Sequence, residues 1–350
     1  VTLTVFYLQK EPSEAYDCPT VKYVAYDQIR LSDYDFAASS ALDRSGDKVN
    51  ISRSEENISV SGESWNVVFD AGSGFMYRYV VGGKDYLSEP LAPCFARACT
   101  DNDLGAGLDT KYMTWRRPHF RLLNIDASMD GACAVVRADY AVEGTAARLG
   151  ITYTVNPKGE VGVCQDMQAG KNEKLPPLFR FGMRFAMPLR YSTLSYYGQG
   201  PWENYADRES SALLSRYVQS VGEQYHYGYV RPQESGTKCG LRSWAVTDRN
   251  GAGLEIVAPT EFSASALYHS LEELDCDSQQ TVKHSCELSN DRENVYVHVD
   301  LRQMGVGCVN SWGALPLDKY MLPYGDYRFE YVIRPYTSGY PYIEWTEKRE

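Results

Sequence analysis

Apolar and polar residues alternate at every second position through most of the chain, the period of a strand with one buried face. Val1 to Leu8 and Lys22 to Leu31 show it first, separated by a Pro-containing loop around Glu11 to Thr20. Ser32 to Glu56 then turns polar, rich in Ser, Asp, Arg and Asn, and reads as a linker. From Asn57 the alternation returns at short, regular spacing. Trp65 to Asp70 and Phe75 to Val81 flank the turn Ala71 to Gly74, and Ala146 to Val155 and Glu160 to Ala169 flank Asn156-Pro157-Lys158-Gly159. Asn250-Gly251 marks a third hairpin. Leu178 to Met187, Ser263 to His269, Asn294 to Gln303 and Tyr327 to Tyr336 add strands, whereas only Glu209 to Val221 and Leu271 to Leu274 hint at helix. Strands without interleaved helices predict an all-β sandwich. The chain opens inside a strand with no initiator Met, which reads as a start cut from something longer.

Composition narrows the function classes. Of 350 residues, 43 % are hydrophobic, enough for a sizeable core, so disorder is not expected. Tyrosine occurs 28 times against 11 phenylalanines; it suits pleated surfaces and also offers rings for sugar, and composition alone favours packing. A net charge of -11 leaves no basic excess for phosphates or an anionic membrane surface, so nucleic acid and membrane are not expected partners. A neutral substrate or a protein partner fits. No apolar run approaches the length of a membrane span. The nine cysteines form no C-x-x-C pair, and with five histidines no zinc pattern emerges. They read as mostly reduced, buried thiols.

Several stretches carry candidate chemistry. Gly198 to Arg208 (GQGPWENYADR) puts two glycines and a proline at a strand exit, forcing a tight path that Glu203, Asn204, Asp207 and Arg208 can hold with hydrogen bonds. A structural corner is preferred over sugar binding, since buried polar groups need partners with or without a ligand. In Arg231 to Gly236 (RPQESG), Glu234 could serve as a general base with His226 or His269 as acid, but no second matching group appears, so structural use is preferred again. Asp101, Asn102 and Asp103 hand over to Gly105, Ala106 and Gly107, a loop with freedom to hinge; structural and functional readings stay open there, and calcium-loop spacing is absent. In an extended strand Tyr296, His298 and Asp300 share one face and Val295, Val297 and Val299 the other. The valine side is core, so the Tyr296 side is expected to be exposed or partner-facing.

Four stretches together resemble the C-terminal region of glycoside hydrolase family 2 β-galactosidases. They are Phe95 to Gly107 (FARACTDNDLGAG), Gly198 to Arg208, Tyr229 to Gly240 (YVRPQESGTKCG) and Tyr296 to Gly313 (YVHVDLRQMGVGCVNSWG), in the family's order. The resemblance implies a large antiparallel β supersandwich, similar to galactose mutarotase, over 57–337. The last strands of an immunoglobulin-like domain would occupy 1–33, a linker 34–56 and a tail 338–350. It implies a carbohydrate-facing set of Tyr296, Asp101, Asn102, Asp103, Gly105 and His298, with the Asp101 to Gly107 loop bordering the sugar pocket. Tyr296 would stand where enterobacterial-type members stack sugar on a Trp, with a smaller ring face. Arg97, Gly200, Glu203, Asn204, Asp207, Arg208, Arg231, Glu234, Met304 and Trp312 fall to the framework. Cys308, Val309 and Asn310 depart from the more acidic pattern before Ser311-Trp312, so no polar contact is carried over there.

Family members of this kind cleave with two glutamates from a TIM barrel. No βαβ repeat is present to build one, so no catalytic residue, metal or other cofactor is expected in this chain; magnesium and sodium would belong to the barrel of the parent enzyme. The implied partners are the remainder of the parent chain and a galactoside, with room for a homo-oligomer. The fragment alone is expected to be inactive. Two alternatives stand beside this: an aldose 1-epimerase, which needs a His acid and Glu base across one concave face, and a carbohydrate-binding or assembly module using Tyr296.

Overall fold

The computed structural model describes residues 2–9, 20–171, 174–275, 284–307, 309–310 and 313–337. Trp312, Ser311, Cys308, Cys18, Cys276 and the tail 338–350 lie outside the described residues. The chain forms two compact units, Val1–Asp35 and Phe36–Glu350. In the first, Thr2–Gln9 pairs antiparallel with Thr20–Gln28, with a register shift between Val5 and Phe6.

The second unit is built from two large antiparallel sheets. One has nine strands in the order Leu213–Ser220, Thr193–Gly200, Ser243–Thr247, Ala252–Val257, Tyr327–Thr337, Val161–Gln168, Arg148–Val155, Cys133–Val142 and Phe120–Asp130. The other has ten, running Lys238–Leu241, Phe262–Leu267, Asn294–Gln303, Arg180–Pro188, Glu89–Cys94, Met76–Val81, Trp65–Asp70, Asn57–Ser61 and Asn50–Arg53, with the short Lys84–Asp85 beside Met76–Val81. The fold is therefore an all-β sandwich. Inward residues alternate with outward ones as the sequence pattern demands: Leu149, Ile151, Tyr153 and Val155 are buried, while Arg148, Gly150, Thr152 and Thr154 face out.

One continuous apolar core joins the sheets. Its tyrosines do the packing that the composition favoured. Phe69 of the ten-stranded sheet meets Tyr153 of the nine-stranded sheet at 4.8 Å between ring centres, and Phe181 meets Tyr327 at 5.2 Å. Where their hydroxyls reach an acceptor they bond across, as Tyr79 donates to the Gly159 carbonyl at 2.5 Å.

Three local expectations give way. Glu209 to Val221 holds a strand, Leu213–Ser220, at the edge of the nine-stranded sheet; its outer position leaves it half exposed and blurs the two-residue period. Within the polar stretch read as a linker, Phe36–Ser39 is helical and Asn50–Arg53 pairs with Asn57–Ser61. An edge strand needs backbone pairing but little apolar side chain, so composition hides it. Asp101–Gly105 is a helix rather than an open hinge loop. Thr100 Oγ1 accepts from the Asp103 amide at 3.1 Å and Asp103 Oδ2 from the Thr100 amide at 3.0 Å, a reciprocal cap that fixes the first turn.

Trp115 shows what the core holds in place. Fully buried, it packs near Phe95 and Tyr324 and donates its indole N–H to the Pro176 carbonyl at 2.6 Å. Trp115→Ala is expected to lower stability by about 3–5 kcal/mol in urea unfolding; an unchanged midpoint would exclude the ring from the cooperative core.

Candidate functional site

Three of the four sequence motifs meet at Met304–Gly307, directly after the strand Asn294–Gln303. Arg97, fully buried, forks onto Asp103 with Nε–Oδ2 2.9 Å and Nη2–Oδ1 2.7 Å. Two more of its donors reach the carbonyls of Met304 at 2.6 Å and Gly305 at 3.0 Å. Asn102 Nδ2 donates to the Val306 carbonyl at 3.2 Å. The Asp207 carboxylate accepts the amides of Val306 at 3.0 Å and Gly307 at 2.8 Å. A non-repetitive backbone turn thus has carbonyls and amides satisfied by side chains, as an irregular segment in a packed setting requires. The chain returns at Gly313, where an added Cβ would lie 2.6 Å from the Gly105 carbonyl oxygen. That approach places the helix Asp101–Gly105 against the far end of the same segment.

The remaining framework residues knit around this knot. Asp101, exposed on the helix, accepts from Gln233 Nε2 at 3.0 Å and pairs with Arg231 Nε at 3.4 Å. Glu203 accepts the Gly236 amide at 2.8 Å and Ser235 Oγ at 3.0 Å, together with Arg208 and the Tyr229 hydroxyl. Burial alone would push the Glu203 carboxyl up, but hydrogen bonds from Tyr229, the Gly236 amide and Arg208 outweigh it and hold it below the usual carboxylate range. Asn204 donates to the carbonyls of Gln199 and Trp202, both at 3.0 Å, and accepts the Cys239 amide at 2.8 Å. At Gly200 a Cβ would come 2.5 Å from Tyr196 Oη, so only glycine fits beside that ring.

Glu234 is committed on both oxygens. It accepts from Arg180 Nη2 at 2.8 Å, Thr237 Oγ1 at 2.8 Å, Gln303 Nε2 at 3.2 Å and Tyr205 Oη at 3.5 Å. With His269 it borders the narrow cleft that Tyr296 and His298 also line. His269 is itself held between Glu273 at 3.1 Å and Tyr227 Oη at 3.2 Å. The pair weighed as base and acid therefore share a cleft, with both groups engaged in bonds to the protein.

The Tyr296 face differs from expectation. Val295, Val297 and Val299 are fully buried on their side, but His298 and Asp300 are buried on the other, and only Tyr296 is partly open. A second apolar cluster of Ala98, Tyr225, Leu267, Leu274 and Leu288 covers this side, Leu267 being the cross-strand neighbour of Tyr296. Asp300 sits against Gly182, where a Cβ would lie 2.2 Å from Oδ1, and 3.6 Å from Arg180 Nη1. Burial outweighs Arg180 and raises its carboxyl to about 7, with Glu234 adding repulsion. Burial, then Arg180 and Arg184, hold the His298 imidazole well below its ordinary value, hence neutral. Among the described residues no three His, Cys, Asp or Glu side chains converge to hold a metal ion.

The family model described as "Beta galactosidase small chain" matches residues 61–333. The chain belongs to this family. A β-galactosidase of Priestia megaterium is 30 % identical over 321 residues, covering 91 % of the chain and 29 % of the relative. A β-galactosidase of Halalkalibacterium halodurans is 33 % identical over 284 residues, covering 79 % and 27 %. The chain thus spans under a third of the length of these curated relatives. Among solved structures, galactose 1-epimerase from Lactobacillus acidophilus is similar with a TM-score of 0.47 at 9 % identity, covering 84 % of the chain and all of that structure.

For this small-chain family member, sequence reading singled out Arg97, Asp103, Asn102, Asp207 and Met304, and the structure brings these together. It missed Arg180 and Asp300 as a buried charged pair, although Asp300 shares a face with Tyr296 and an Arg opens the strand Arg180–Pro188. It also missed that Thr100-x-x-Asp103 is a capping pattern.

Two measurements follow from these bonds. Asp207→Ala removes a charged acceptor from two amides, so exchange of the Val306 and Gly307 amides should accelerate about tenfold or more in hydrogen–deuterium exchange while the sheet strands keep their protection. Uniform acceleration across the sheets would instead indicate global unfolding and contradict a local clamp. For Asp300, the folded-state carboxyl binds its proton more tightly than an unfolded one near 4. Its stabilising share is therefore complete below that value and lost as pH climbs towards about 7. Asp300→Asn should flatten the fall in melting temperature between pH 5 and pH 8; an identical slope in both proteins would refute the shift.

Proposed function

We propose that this chain is the sugar-facing part of a β-galactosidase acting on terminal, non-reducing β-D-galactosyl groups, with the bond-breaking glutamates supplied from outside Val1–Glu350. The observation that carries the reading is the convergence of Arg97, Asn102, Asp103 and Asp207 on Met304–Gly307, which sets the Asp101–Gly105 helix and the following segment in fixed register. Rigid strands presenting a buttressed irregular segment are the usual way a scaffold offers a binding rim. The strands of the described residues are antiparallel throughout, so the parallel barrel on which such glutamates sit would be a separate part.

Within this reading, Asp101, Asn102 and Gly105 form the rim nearest the substrate. Tyr296, partly open beside a covered face, contributes the part of its ring that remains exposed. Residues 1–33, within the first unit, are taken as the closing strands of an immunoglobulin-like domain. The partners are the rest of a β-galactosidase polypeptide and a galactoside.

The test is reconstitution. The purified chain alone should give no turnover of a chromogenic β-galactoside, and adding it to a family β-galactosidase lacking the corresponding region should restore activity. Asn102→Ala should weaken that restored activity through KM. Saturable hydrolysis by the chain alone, or no restoration despite complex formation, would overturn the reading. Polarimetry of galactose anomerisation on the same sample separates the epimerase alternative, which requires turnover without any second component.

A further inference from the structure

The outward side of the nine-stranded sheet carries a concavity of about 560 Å³, lined by residues outside the four motifs. Register explains its shape. Across four neighbouring strands, Asp139, Gly150, Asp166 and Arg328 stand in one row and Arg137, Thr152, Cys164 and Glu330 in the next. The floor is therefore small (Gly150, Thr152, Cys164), and each rim carries a guanidinium and a carboxylate. On one rim Arg137 Nη2 lies 3.0 Å from Asp139 Oδ1; on the other Arg328 Nε lies 3.0 Å from Glu330 Oε1 and Nη1 3.1 Å from Asp166 Oδ2. A glycine at mid-strand forfeits side-chain packing and often marks a place where something else approaches the backbone. Gly150 needs no left-handed backbone, and a Cβ there would find ordinary contacts at 3.5 Å from Asp139 Oδ1 and 3.8 Å from Arg137 Nη2. Neither turn geometry nor crowding accounts for it.

We propose that this trough is a ligand site for a neutral polyhydroxylated molecule, of the class of mono- and disaccharides, separate from the Met304–Gly307 rim. The volume falls in the range of small-molecule sites. Three arginines and three carboxylates line it, a local balance of zero in a chain of -11, which suits neither an anion nor a cation. Paired guanidinium and carboxylate groups present donors and acceptors side by side, the complement of vicinal hydroxyls. The four strands are paired on both edges, so no added strand could bond to their backbone, and an occupant is held by side chains alone. Burial raises the Cys164 thiol to about 11, so the floor is uncharged at neutral pH. No Tyr or Trp ring lies outward among these rows, so affinity should be weak, about millimolar.

The inference does not depend on the galactosidase reading. The probe is lactose, titrated into the intact 350-residue chain and followed by saturation-transfer NMR and calorimetry. Gly150→Val, which fills the floor with a strand-compatible side chain, should weaken binding about tenfold or more with the melting temperature retained. Asp166→Asn, which removes one acceptor and leaves Arg328 paired to Glu330, should weaken it as well. Asn102→Ala should leave it unchanged, whereas it should impair the reconstituted hydrolase. Three results would each overturn the proposal: no lactose binding to the unaltered chain, binding that survives both trough substitutions, or concentration-dependent self-association that Gly150→Val abolishes without any effect on lactose.

Discussion

The buried Arg97–Asp103 fork is the interaction on which the candidate site depends. An isolated ion pair away from water recovers its desolvation cost only if every remaining donor and acceptor is also met. Here the guanidinium, having paired with Asp103, gives two of its three other hydrogens to the Met304 and Gly305 carbonyls, while Asp103 closes the cap of its own helix. The pair therefore serves less as a source of net stability than as a register device. Loss of one partner from such a pair costs about 3–5 kcal/mol, so alternative placements of the segment are strongly penalised. Two pieces of chain about two hundred positions apart in sequence are fixed relative to each other by one side chain.

Asp207 makes the same kind of bond with opposite polarity. Its carboxylate takes the amides at Val306 and Gly307 while Arg97 and Asn102 take carbonyls at Met304, Gly305 and Val306. Side chains thereby meet both donors and acceptors of one short turn, and the turn cannot rotate without breaking bonds to them. That double satisfaction explains why an irregular segment can sit against a packed β framework. The second polar centre, Arg180 with Glu234 and Asp300, differs: one cation faces two carboxylates, so the less well-bonded of them, Asp300, is the one whose proton is retained towards neutral pH.

Much of the fold was legible because a half-buried strand leaves a two-residue signature, and turns such as Asn156-Pro157-Lys158-Gly159 carry their own chemistry. The signature failed where burial was asymmetric. Leu213–Ser220, at an edge, is half exposed along its length and does not alternate cleanly. Asn294–Gln303 alternates well, yet its polar face is covered, because a sequence pattern distinguishes two faces without saying what packs on the second. For the site, the motif residues could be named from their types, but not their partners. The Asp207 amide bonds cross about one hundred residues, and Asp300's proton affinity is set by burial beside Arg180 and Glu234, groups distant in sequence.

The two faces of the sandwich end in contrasting solutions to one problem, how a β framework offers a surface that something can bind. At Met304–Gly307 the backbone leaves the ladder, and side chains must then replace every bond the ladder would have made. That replacement consumes the charged residues and leaves the neighbouring helix and rim as the available surface. On the nine-stranded sheet the ladder stays intact, and concavity arises instead from side-chain size, with Gly150, Thr152 and Cys164 between charged rims. The rim charges there neutralise one another at the surface, where such pairs are worth little to stability. They are consequently free to exchange partners with a ligand at small cost, whereas the buried charges of the first face are not.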